Sequence, residues 1–140
     1  MLHNWFTASA EGLLANIWLA NPMTVMLMRP GFVPNIDTQK VYADISANEV
    51  PAGTGYVAGG NALTGKLAPY TAASDRTDFI ANDPSWGPGA TFDAAFAVIY
   101  DNSGTKPLWS CIDFQGTKSV SAGTFTLDFP STGMLYMVPG

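Results

Sequence analysis

Two runs of alternating apolar and polar residues lie on either side of one turn. In residues 90–114, ATFDAAFAVIYDNSGTKPLWSCIDF, the side chains of Phe92, Ala94, Phe96, Val98 and Tyr100 alternate with Asp93, Ala95, Ala97 and Ile99. Side chains two apart share a face of a strand, so this spacing predicts one long strand. The returning run puts Leu108, Ser110, Ile112 and Phe114 on one face and Trp109, Cys111 and Asp113 on the other. Between them, Asp101-Asn102-Ser103-Gly104 is turn chemistry, because Asp and Asn bond their own backbone and Gly accepts positive φ. Ile99 and Trp109 make both faces apolar near the turn. That predicts a strand pair central in its sheet, covered on two sides by its own chain or by a neighbour.

The pattern elsewhere fits around this pair. Leu13, Leu14, Ile17 and Trp18 recur on one face of a 3.6-residue period and predict a helix over 8–20, which Asn21-Pro22 stops. A helix of about three turns is marginal unless its apolar face docks. Residues 24–29 (TVMLMR) predict a short strand, with Met26 and Met28 as adaptable apolar groups. Residues 41–45 suit a strand or one helical turn. The glycine-dense 51–65 predicts turns and bulges, with a strand over 62–67. A short strand is expected at Phe79-Ile80, a rigid connector at 84–89 with Trp86 covering a core edge, and a loop at 115–123. TFTLDF at 124–129 alternates with Phe125, Leu127 and Phe129 inward, and MLYMV at 134–138 is a last strand. Strands at this spacing with Gly/Pro-rich turns predict a mainly β chain, an antiparallel sandwich or jelly-roll-like barrel with one short N-terminal helix. The expectation is a single domain over 1–140, with the helix at 8–20 and the sandwich at 24–138.

Composition narrows the function classes. The chain has 140 residues, 47% apolar and only 12% charged, against roughly 25% charged in ordinary soluble domains. A surface so poor in charge is either neutral and polar or covered by neighbours. Net charge is −5, and the basic residues Arg29, Lys40, Lys66, Arg76, Lys106 and Lys118 are scattered. No basic stripe exists for nucleic acid, and no polybasic cluster for a membrane surface. Residues 1–20 carry no positive n-region and are too polar for a span, so neither a secretion signal nor a membrane segment is expected.

Candidate chemistry is sparse. Cys111 and His3 are the lone members of their types, so no disulfide framework and no zinc site of usual ligands can form. A Ser-His-acid triad would have to use His3 at a terminus. Gly53 and Gly55 are followed by Ala58 where a dinucleotide fingerprint has its third glycine, and no amphipathic helix follows. Asp75, Asp78 and Asp83 lack calcium-loop spacing. Paired carboxylates remain to weigh for glycoside chemistry, for example Asp93 with Asp113 on neighbouring strands, but wet strand faces need polar residues in any case. No catalytic residue, cofactor or metal is assigned.

One resemblance runs through the chain. The stretches PNIDTQKVYADISANEV, GTGYVAGGNALTG, DRTDFIANDPSWGPGATFDAAFAVIYD and PLWSCIDFQGTKSVSAGTFTLDFPSTGMLYMV, in that order, resemble a widespread group of small tailed-bacteriophage virion structural proteins. The similarity covers most of 8–138. Its most specific parts are 53–65, the Trp86 segment leading into Ala97-Val98-Ile99-Tyr100, and Ile112-Asp113-Phe114 with Lys118 after it. The sequence departs from the group at Gln115, where glycine is expected, and over 22–34. The resemblance implies a β-rich particle protein with no enzymatic role. The reading is a capsid decoration or cement protein on the virion surface, with tail, neck or fibre adaptor as the alternative place and a carbohydrate- or receptor-binding module as the alternative role. The partners expected are the major capsid protein and copies of itself, a trimer among the options. The candidate interface residues are Leu13, Leu14, Ile17, Trp18, Met26, Met28, Phe32 and Trp109.

Overall fold

A computed structural model describes the backbone of residues 7–130 and 135–137, and the side chains of 12–130. The chain is mainly β, with antiparallel sheets and one N-terminal helix, as the alternation predicts. It divides into two compact units.

The first unit comprises Met1–Asn21, Thr64–Asn82 and Phe129–Gly140. Its helix α1, Thr7–Ala20, ends where Asn21 N–H bonds the Ile17 carbonyl at 2.9 Å, just ahead of Pro22. Trp18 is fully buried and meets Phe79 edge-on at 5.6 Å. The strands β3 (Tyr70–Thr71), β4 (Arg76–Phe79) and β7 (Leu135–Met137) form a three-stranded antiparallel sheet. Leu67 joins Ile80 through a single bridge, so the strand expected over 62–67 is reduced there to one ladder position.

The second unit comprises Pro22–Leu63 and Asp83–Asp128. Its sheet runs β2 (Asn61–Ala62), β1 (Met23–Met28), β5 (Ser85–Asp101), β6 (Leu108–Thr126), all antiparallel. All six β1 residues are buried. The alternation in β1 puts Met26 and Met28 on one face, where Phe32, Ile45, Val98 and Tyr100 join them in a core with Tyr42, Phe96 and Leu108 packed around it. A second aromatic group comprises Tyr56, Trp86, Phe92, Phe114 and Phe125, with ring centres 5.4 to 6.3 Å apart. Residues 41–45 resolve into a four-residue helix α2, Tyr42–Ile45, followed by a 3-10 turn, Ser46–Asn48.

Three expectations are corrected. The connector at 84–89 is the bulged start of β5: Trp86 pairs with Phe125, and the ladder resumes at Ala90. The loop at 115–123 is strand, since Ser119 and Val120 pair with Asp93 and Phe92. Its polar TKSVS looks like a loop because those side chains are mostly exposed. The extra residues are absorbed where Gln115 and Ala122 take positive φ, 57° and 49°, at bulges that leave one strand with more residues than its partner. Finally, of the two long strands only β5 is interior to the sheet. β6 is the edge, and its side chains from Leu108 to Ser110 are half-buried. The expected strand at 124–129 ends at Thr126, but Leu127 and Phe129 are buried as the pattern requires.

Candidate functional site

Two features of the second unit stand out, one buried and one open. The buried one is a carboxylate. Glu49 follows the 3-10 turn and is 8% exposed. Its Oε1 accepts hydrogen bonds from Tyr56 Oη and the Gly59 N–H, both at 2.6 Å, and its Oε2 accepts one from Tyr42 Oη at 2.7 Å. Tyr56 Oη also accepts the Leu27 N–H at 3.0 Å, and Tyr100 Oη donates to the Gly59 carbonyl at 2.8 Å. A buried carboxylate needs this kind of saturation, because an unpaired charge in the core is costly. The network pins the glycine-dense loop 53–60 to β1 and β5.

The glycines are what let the loop lie so close. A Cβ on Gly60 would sit 1.9 Å from the Val25 carbonyl oxygen, and one on Gly55 would sit 2.7 Å from Ala90 Cα. Burial and the nearby Glu49 charge push the Tyr42 hydroxyl up to about 12. The same causes raise Tyr56 and Tyr100 further above the ordinary tyrosine range. These phenols are hydrogen-bond donors and not acids or bases at neutral pH.

The open feature is a cleft of about 120 Å³ beside the start of β6. Phe32, Ile45, Val98 and Leu108 line it with Trp109, and Asn35, Gln39 and Cys111 also border it. The loop over it is held by its own polar groups. Asn35 Oδ1 accepts the N–H groups of Asp37 and Thr38, Gln39 Oε1 accepts that of Asn35, and Lys40 Nζ donates to the Ile36 carbonyl. Asx-turn bonding of this kind fixes a loop without a core. It leaves Val33 76% and Ile36 81% exposed at the tip, flanking Pro34. The Lys40 carbonyl accepts the Leu108 N–H at 2.9 Å, and Tyr42 N–H donates to the Lys106 carbonyl, tying the loop's end to β6. With Asn35 and Gln39 engaged within the loop, the cleft offers an apolar seat.

The candidate interface residues separate by position. Trp18, Met26, Met28 and Phe32 are buried and fill the chain's own core. Leu13 is exposed, Leu14 and Ile17 are half-buried, and Trp109 lines the cleft. Val33 and Ile36 were missed. The signal was available: two aliphatics around Pro34, inside a run of Asn, Asp and Thr that cannot bury them.

The remaining chemical candidates fall apart in space. Asp93 faces Ser119 and Asp113 faces Phe96, which puts the two carboxylates on opposite faces of the sheet. Asp75 accepts from Tyr70 Oη at 2.6 Å, and Asp78 pairs with Arg76 at 2.6 Å. Among the described residues no three His, Cys, Asp or Glu side chains come together as metal ligands. Partial burial, then the Asp113 charge, raises the Cys111 thiol, which therefore stays protonated at neutral pH. No described helix is long and apolar enough to cross a membrane. Comparison of the chain with models of known families, with curated proteins and with solved structures finds no match.

Proposed function

We propose that this chain is a non-enzymatic structural subunit of a tailed-phage particle, a decoration or cement protein that binds the major capsid protein lattice. The observation that carries the reading is the loop tip. Val33 and Ile36 stand exposed beside an apolar cleft, on a loop braced by three of its own side chains, Asn35, Gln39 and Lys40. Rigid apolar groups held in water suit a surface made to be covered. The resemblance of the sequence to phage structural proteins supplies the partner. The low charge and the −5 balance suit a lattice-bound subunit that does not touch DNA. Many copies would turn a small contact into a stable coat through avidity.

The test is stoichiometry. In purified particles this chain, quantified by gel against the major capsid protein, should be present in hundreds of copies. About three to twelve copies, the numbers of a closed ring, would move it to the neck or tail. Absence from the particle would end the reading.

A further inference from the structure

The long edge of the second unit's sheet carries a register of its own. β6 is the last strand of that sheet, and among the described residues its outer side meets backbone at residues 40–42, next to Lys106 and Leu108. Open edges of this length normally recruit another strand or are blunted against it. The other outer strands described are short: β2 and β3 span two residues each and β7 spans three.

The bulge in β6 decides what could pair with it. Phe96 faces Asp113, and Ala94 faces Lys118. Only Ala95 separates these positions on β5, whereas residues 114–117 separate them on β6. A regular foreign strand lacks that insertion, so it could stay in register with one arm of β6 only. A second β6 has the same insertion. Two copies run antiparallel about a two-fold axis between Gln115 and Gly116 would set bulge against bulge and keep both arms paired. The charges give the same axis independently. Asp113 and Lys118 are the two charged residues of β6, both are exposed, and they flank the bulge. That axis places each Asp113 opposite the other copy's Lys118, twice.

The parity of the ladder agrees as well. Ala94 and Phe96 are two apart on one strand, so Asp113 and Lys118 share a sheet face and the same hydrogen-bonding sense. They can therefore sit directly opposite across the new ladder. We infer that two copies of this chain join edge to edge through β6, with Cys111, Ile112 and Asp113 of each facing Val120, Ser119 and Lys118 of the other, in one continuous sheet. Such an interface is isologous and closes on itself. It does not rest on the particle reading, and the purified chain alone tests it.

The experiment is sedimentation equilibrium of the full chain and three variants at about 100 μM, an accessible range for micromolar association. The wild type should be a dimer. Lys118→Asp sets carboxylates against carboxylates and should weaken the dimer by about tenfold or more. The double exchange Asp113→Lys/Lys118→Asp should restore it, and circular dichroism should show each variant folded. Val120→Cys places a thiol opposite Cys111 of the other copy and should give a disulfide-linked dimer under oxidised glutathione, seen on a non-reducing gel. A wild-type monomer or trimer would overturn the inference. So would Lys118→Asp dimerising undiminished, a double exchange that fails to restore pairing, or Val120→Cys that does not cross-link.

Discussion

Three donors converge on the Glu49 carboxylate, two phenolic and one from the backbone, and the glycine-dense loop is held by them. Glu49→Ala would leave the buried Tyr56 hydroxyl and the part-buried Tyr42 and Gly59 donors without their acceptor and should cost about 3 kcal/mol in urea unfolding. Glu49→Gln keeps one oxygen for Tyr56 and Gly59 and should cost less. Tyr42 adds a dependence on pH. Its hydroxyl keeps its proton up to about 12 in the folded chain, against about 10 when unfolded. A raised folded pKa means the folded state binds the proton more tightly. The associated stability is therefore intact below about pH 10 and is lost as pH rises through about 12. Tyr42→Phe should flatten that alkaline part of the stability profile, measured by denaturant titration at several pH values. At Gly60 the limit is space: an Ala methyl would collide with the Val25 carbonyl oxygen at a φ of +82°. Gly60→Ala should lower stability by more than about 2 kcal/mol.

At the scale of the element, β6 shows how an edge strand is shaped. Gln115 sits at φ +57°, with its N–H held by Asp113 Oδ1 at 2.7 Å. A left-handed conformation costs an L-residue roughly 1–2 kcal/mol, and glycine gives back about 0.5–1 kcal/mol in chain entropy. Gln115→Gly keeps the backbone bond and should raise stability by about 0.5–1 kcal/mol, read as a higher Tm. Glycine accepts this φ without a Cβ penalty, which is the backbone's reason to favour it there. The alternation of 92–100 was legible because β5 buries its apolar side chains, and that of 108–114 because Leu108, Ser110, Ile112 and Phe114 are half-buried while Cys111 and Asp113 between them are exposed. The 115–123 stretch was not, because an edge strand with exposed polar residues carries no hydrophobic period to read. The start of β5 was hidden too, since Gly87, Pro88 and Gly89 look like a connector while their flanking residues keep the ladder. The site was half legible. Met26 and Met28 fit a contact surface by composition, yet their strand lies between two others, which makes them core. Nothing in the sequence marked the Glu49 clasp, whose members are spread from Tyr42 to Tyr100 and meet only in the fold.

At the scale of the whole molecule, the exposed aliphatics separate binding from folding. Ile36→Ser and Val33→Ser remove apolar groups that the chain does not bury. Each should change unfolding stability by no more than about 0.5 kcal/mol. On the proposed function, the pair should abolish co-sedimentation with phage particles stripped of this protein. Full retention of the double variant on the particle would put the contact elsewhere on the molecule.

The pairing of β1 has a consequence for synthesis. Met23 lies against Asp101 and Met28 against Phe96, so this strand, apolar but for Thr24, leaves the ribosome long before its β5 partner exists. Until then MTVMLM is a sticky nascent segment, exposed to other chains and to chaperones. A ribosome stalled short of residue 96 should hold it in protease-sensitive form, and release of the β5–β6 hairpin should protect it. How quickly that hairpin arrives therefore sets how long the segment stays open to misassociation.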